Sequence, residues 1–188
     1  LFSNQKNIIN GLKKIIFRDI RLEKVLTIIR RKLCTEIASN SKRLNNSQLE
    51  FVIAIAEQSF LNEYIYPTTK TERNCIDIII QKCQYEELNE KYISILSCYF
   101  PLYKILNQIP QLKSFNSKNE SVKELIKLQI YEPLEEIKLS QKIKRLGSIK
   151  DNVSQKVKSQ YETNPYPRWK HGNFSKDLKR SVQEKINF

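Results

Sequence analysis

Apolar residues recur at three- and four-residue steps along most of this 188-residue chain, and that spacing confines it to helices. Ile8, Ile9, Leu12, Ile15 and Ile16 form one stripe; Leu22, Val25, Leu26, Ile29, Leu33 and Ile37 form a second that ends near Ser39. A strand needs strict alternation backed by turn residues, and no stretch offers both. Both N-terminal helices carry basic outer faces. The polar run 39–46 then breaks the period and marks a subdomain boundary.

Helix starts and stops can be read from capping chemistry. Ser47-Gln48-Leu49-Glu50 has the S-x-x-E spacing of a capping box and precedes Phe51 to Ala56, a run apolar on every side. The spacing predicts a central, buried helix carried on by Phe60, Leu61, Tyr64 and Ile65 and closed by Pro67. Thr69-Lys70-Thr71-Glu72 repeats the box and opens a helix with Cys75, Ile76, Ile79, Ile80 and Cys83 inward and Lys82, Glu86 and Glu87 outward. Asn89 caps a fifth helix, with Tyr92, Ile93, Leu96 and Tyr99 facing the core until Pro101 interrupts it; Leu102 to Leu106 continue helically.

Ser121-Val122-Lys123-Glu124 gives a third box, followed by Leu125, Leu128, Ile130 and Tyr131. Pro133 has no N–H to give the helix ladder, so a kink or restart falls there, and Leu134, Ile137 and Leu139 carry the next element. Asp151 caps a helix from Val153 to Tyr161, and Ser175 caps a last one with Leu178, Val182 and Ile186 on one face. The expected fold is an all-α orthogonal bundle of about seven to nine helices. It divides into a basic helical segment 1–46, a helical core domain 47–162, and a tether with a C-terminal helix over 163–188.

Composition narrows the chemistry. A chain of this length can bury roughly 70% of its unfolded surface, and 40% apolar with 28% charged residues is globular rather than disordered. Three glycines, Gly11, Gly147 and Gly172, do not cluster, which excludes a P-loop or a dinucleotide-binding loop. The single histidine, His171, sits in a polar turn beside Gly172, so any triad, dyad or histidine-based metal site would have to share that one residue. No catalytic, cofactor-binding or metal-binding set emerges.

Cys34, Cys75, Cys83 and Cys98 form no CxxC pair and lie in apolar helical stretches, the pattern of reduced core cysteines in the cytoplasm. The longest apolar run is far short of a membrane span, and the first residues lack the apolar stretch and small-residue cleavage site expected of a signal peptide. The expectation is a cytoplasmic protein without a membrane partner. The net charge of +13 is uneven, with +8 in 1–46, −4 in 47–101, +5 in 102–150 and +4 in 151–188. A basic surface of this kind suits nucleic acid, here through segments 1–46 and 138–158, but the basic residues are not interleaved with aromatics. Solvated helix faces explain the same charge.

Four stretches, read in order, resemble one bacterial family: Gln58-Ser59-Phe60-Leu61-Asn62-Glu63-Tyr64, Leu96-Ser97-Cys98-Tyr99-Phe100-Pro101-Leu102, Gln129-Ile130-Tyr131-Glu132-Pro133-Leu134-Glu135-Glu136, and Ile149-Lys150-Asp151-Asn152-Val153-Ser154 leading to Asn164-Pro165-Tyr166-Pro167-Arg168-Trp169. They are similar to the helical region between tetratricopeptide repeats and a class I S-adenosylmethionine-dependent methyltransferase domain in large bacterial proteins. The likeness covers roughly residues 47–170, and the Asn-Pro-Tyr-Pro-Arg-Trp hexad is its most specific part. It implies that the tether leads into a downstream domain holding the cofactor, which the present residues do not include. The implied role is a non-catalytic accessory or substrate-recognition module, its partners that downstream domain and a protein substrate. No 34-residue period appears, so 1–46 is at most the end of a repeat array.

Two candidate sites follow. Asn164, Pro165, Tyr166, Pro167, Arg168 and Trp169 form either a stiff strut that docks on the neighbouring domain or a linker whose Trp packs on its own bundle. Asn62, Glu63 and Tyr64, near Tyr66, either line a cleft in which Glu63 acts as acid or base or satisfy a helix end. Glu132, Glu135 and Glu136 are expected on a solvated face rather than in a carboxylate site, and Cys98 in the core.

Overall fold

The computed structural model describes residues 6–17, 19–143 and 151–163, and among them there is no strand. In chain order the helices are α1 (Lys6–Lys14), α2 (Ile20–Ala38), α3 (Asn46–Leu61), α4 (Lys70–Tyr85), α5 (Glu90–Leu96), α6 (Glu120–Ile126), α7 (Glu132–Ser140) and α8 (Asn152–Thr163). Two 3-10 turns, Leu102–Ile105 and Pro110–Lys113, follow α5, and a π turn, Lys127–Tyr131, joins α6 to α7. The chain is an all-α multi-helix bundle. No helix among the described residues is long and apolar enough to cross a membrane.

The apolar run of α3 is buried along its whole length, and α1, α2, α5 and α6 pack around it, which makes it the central helix its composition predicts. Helices α4 and α5 close the bundle against α2. One buried cluster runs from Leu12 on α1 to Ile130 in the π turn, so the stretch 39–46 joins helices of a shared core. In α4 and α5 the residues that the spacing names face inward, joined by Glu72, Ser94 and Ile95, which it does not name. Along α1 and α2, two of the predicted stripe positions turn outward instead. Ile15 lies past the end of α1 at 59% exposure, and Val25 stands on the outer side of α2, whose buried face is Leu26, Thr27, Arg30, Leu33, Cys34 and Ile37.

Capping residues explain where the helices start, with two corrections. Asn45, not Ser47, caps α3: its side chain accepts from Gln48 N–H while Gln48 Oε1 accepts from Asn45 N–H, at 2.9 and 3.1 Å. Asn119, not Ser121, caps α6. Both serines sit one or two residues inside a helix that an asparagine already closes, and Asn competes well for that place. Ser121 Oγ instead donates to Glu50 at 2.6 Å, and Lys13 reaches both at 3.3 and 3.4 Å, tying α1, α3 and α6 together. Thr69 with Glu72 and Asn89 cap α4 and α5 as expected, and Asp151 accepts from Ser154 N–H at the start of α8.

Helix ends follow a different logic. α3 stops at Leu61, six residues short of Pro67, because Glu63 enters the left-handed region at φ 57°. Glu63 N–H donates to Phe60 O and Tyr64 N–H to Ser59 O, at 3.3 and 2.8 Å, which is a Schellman closure without glycine. α2 ends the same way on Asn40 at φ 55°, with Asn40 N–H on Ile37 O and Ser41 N–H on Glu36 O.

The restart at Pro133 takes the form of the π turn. Glu132 N–H reaches back five residues to Lys127 O, and Pro133 then sits in the first turn of α7, where a missing N–H costs nothing. The same turn carries Gln129 into the core, where its Nε2 donates to Ala56 O and Ser97 O. Beyond it, Ile137 and Leu139 face outward rather than into the core. The helix proposed after Ser175 and His171 lie outside the described residues.

Candidate functional site

A fully buried carboxylate accepts five hydrogen bonds. Glu72, at the third position of α4, is 0% exposed and faces Arg30 of α2, itself 1% exposed. Its Oε2 accepts from Thr69 N–H and Thr69 Oγ1, both at 2.8 Å, and from Arg31 Nε at 3.2 Å. Its Oε1 accepts from the Tyr99 hydroxyl at 3.0 Å and Arg30 Nη2 at 3.3 Å. Burial by itself would raise the Glu72 pKa; the Thr69 N–H and hydroxyl, the Tyr99 hydroxyl and the Arg30 guanidinium outweigh it and hold the carboxyl below its ordinary value.

Arg30 is fixed from several sides. The same Nη2 donates to Pro67 O at 2.9 Å, and the guanidinium carbon lies 4.3 Å from the Tyr99 ring centroid and 5.8 Å from that of Tyr66. Burial also raises the pKa of both tyrosines, that of Tyr66 to about 12. With five donors on two oxygens, Glu72 keeps no lone pair directed at an outside proton, so the arrangement is a clamp rather than a general base. It binds α2, the start of α4 and the carbonyl of Pro67 into one rigid corner.

That corner shapes a groove. Between the N-terminal half of α2 and residues 65–67 lies a cavity of about 400 Å³ lined by Ile20, Glu23, Lys24, Thr27, Ile28, Arg31, Ile65, Tyr66 and Pro67. Ile20, Ile28 and Ile65 are 64%, 61% and 55% exposed, a concentration of aliphatic surface that a core-facing α2 stripe does not explain. Glu23, Lys24 and Arg31 place both signs of charge along the same groove.

The predicted polar cluster belongs to the neighbouring turn. Asn62 is the C-cap of α3 and is buried, with neither amide atom hydrogen-bonded; it lies beside the Tyr66 hydroxyl without hydrogen-bond geometry. Glu63 and Tyr64 are half-buried in left-handed conformations, and the Tyr64 ring meets Phe60 edge-on at 6.4 Å. The three residues thus end a helix and aim the 65–67 segment at α2. The strut candidates Asn164, Pro165, Tyr166, Pro167, Arg168 and Trp169 lie outside the described residues.

The remaining candidates fall where the spacing places them. Glu132, Glu135 and Glu136 are exposed, with Lys127 near Glu132 and Lys138 near Glu135 at 3.9 and 3.4 Å. Cys98 is in the core, its thiol donating to Val52 O and Ser94 O. All four cysteines are buried and unbridged; burial pushes the thiols of Cys34 and Cys83 up to about 12 and raises that of Cys98 as well. No group of three or more His, Cys, Asp or Glu among the described residues could hold a metal ion.

Sequence reading passed over Arg30, Glu72 and Tyr99 as a unit. One signal was present: Arg30 interrupts the apolar stripe of α2 four residues after Leu26 and four before Cys34, where a cation is buried only if paired. No family model, no curated protein and no solved structure matches the chain.

Proposed function

We propose that this chain is a non-catalytic helical accessory module that acts through protein–protein or interdomain contact. The observation that carries this reading is the α2/65–67 groove, an aliphatic surface held in shape by the Arg30–Glu72 clamp. A clamp of that kind gives docking a preformed surface, so less ordering opposes association. The resemblance read in the sequence supplies the partner class, a methyltransferase-type domain in the same protein. The methyl donor belongs to that domain, and the present chain positions it or its protein substrate.

The test joins this chain to its natural downstream sequence and introduces Ile28→Asp and Ile65→Asp. Both side chains are exposed, so the helical CD and thermal midpoint of the chain stay unchanged. The expected result is several-fold slower methyl transfer and faster amide exchange over residues 20–31 than in the parent. Unchanged transfer together with unchanged exchange overturns the reading.

A further inference from the structure

At the other end of α3, a helix about 24 Å long, an open cleft of about 690 Å³ lies between residues 43–49, 87–91 and 115–118. Its volume is that of a site for a small organic molecule. Leu44, Leu49, Leu88 and Phe115 give it apolar lining, and Arg43, Lys91 and Lys118 bring three cations to its wall. Among the described residues none of the three forms an ion pair with a carboxylate.

Two acids, Glu87 and Glu90, share the cleft with the three cations, and one of them has a structural role. Glu90 accepts a hydrogen bond from the buried Ser117 hydroxyl, whose oxygen in turn accepts from Asn119 N–H, so Glu90 closes the 117–119 turn; Glu87 remains on the wall. Lys91 is half-buried with its ammonium 4.8 Å from the Tyr92 ring centroid, and burial first, then Lys82 and Arg43, lower its pKa against the opposing pull of Glu86. An anion beside Lys91 and Arg43 offsets the repulsion between them. The first turn of α3, which opens onto the cleft at Asn46, contains no acidic residue to compete for the place.

We propose that this cleft binds a small phosphate-bearing molecule, its phosphate held by Arg43, Lys91 and Lys118 and its ring or chain resting on Leu44, Leu88 and Phe115. The chemistry requires both halves: three cations without a carboxylate ion pair among the described residues favour a doubly charged head, and the apolar lining favours a non-polar body over a bare ion. It is a ligand site separate from the groove, and its fate does not depend on the docking proposal.

The test is an NMR titration of the ¹⁵N-labelled 188-residue chain with adenosine 5′-monophosphate, inorganic phosphate and adenosine in parallel. Expected are saturable shifts of the Asn46, Leu88, Lys91 and Asn116 amides with the monophosphate. Arg43→Gln/Lys91→Gln weakens its binding at least about tenfold, as does removing either the phosphate or the nucleoside. If the Lys91 change disturbs the fold, Arg43→Gln/Lys118→Gln, both at exposed positions, makes the same comparison. Absence of saturable shifts overturns the proposal. So do shifts scattered over other lysine-bearing faces that the double variant leaves unchanged, or equal affinity for phosphate alone.

Discussion

Arg30 Nη2 stands 3.3 Å from Glu72 Oε1 in a place where neither side chain reaches solvent. A buried pair of this kind does not guarantee net stability, because desolvating two charges offsets most of their attraction. Its value here is positional. Five donors on Glu72, and the Arg30 bond to Pro67 O, define one geometry for the corner from which the groove is built.

Removing one partner therefore costs far more than removing the pair. Glu72→Ala leaves Arg30 buried with a single carbonyl acceptor and deletes half of the α4 capping box, so a loss of ~3–5 kcal/mol is expected from urea unfolding. Glu72→Gln keeps the shape and loses the charge-assisted bonds, for about 2 kcal/mol. The exposed pair Lys138–Glu135 is the control, and Lys138→Ala should change stability by less than about 0.5 kcal/mol. A Glu72→Ala loss no larger than the control would mean the corner is not held by this carboxylate.

Glu72 also gives stability a pH dependence. Its folded pKa lies below the ordinary 4.5, so the unfolded chain takes up the proton first as pH falls. Its contribution is complete above about pH 5.5 and is lost as pH drops through the folded pKa. The exposed caps Asp19 and Asp151 are lowered too, by the Arg21 side chain and by the Ser154 N–H respectively, and act in the same direction. The difference between parent and Glu72→Gln, measured by urea midpoints from pH 7 to pH 3, should shrink toward acid. Parallel curves would exclude this origin.

The thiols report on opening of the core rather than on chemistry at its surface. Cys34, Cys75, Cys83 and Cys98 are all buried, and for Cys34 and Cys83 a pKa near 12 leaves almost no thiolate at pH 8. Native protein should resist alkylation by iodoacetamide at pH 8, and all four thiols should react at once in guanidinium. Rapid native labelling of Cys34 would show that the α2 corner opens far more readily than the clamp implies.

How much of this was legible in the sequence depends on range. The helices, the central place of α3 and the inward faces of α4 and α5 follow from periodicity and local caps, which act within a few residues. The wrong caps at Ser47 and Ser121 share one cause, since a motif does not reveal that a stronger capping residue, Asn45 or Asn119, stands just before it. The clamp joins residues 42 apart and the cleft draws on three separate loops, so only tertiary packing brings either together. Arg30 is the instructive case: its place in an apolar stripe announces a buried partner without naming it.

The turn after α3 offers the sharpest test of a local rule. Glu63 and Tyr64 both adopt left-handed backbone, at φ 57° and 58°, a conformation that costs a non-glycine residue roughly 1–2 kcal/mol. Glycine at 63 removes that cost and adds unfolded-state entropy that returns part of it, a backbone gain of about 0.5 kcal/mol against which stands the interaction Glu63 gives up. Tyr64→Gly gains the same backbone relief but loses the ring contact with Phe60, and should destabilise. Asn40, in the equivalent place after α2, tolerates this region and its side-chain oxygen accepts from the Tyr92 hydroxyl at 3.2 Å, so Asn40→Gly gains little on the backbone, loses that bond and should destabilise. Thermal midpoints of the three variants order the effects. If Glu63→Gly destabilises, the side chain of Glu63 contributes more to the turn than its backbone strain takes away, and the turn is held by that side chain rather than merely tolerating it.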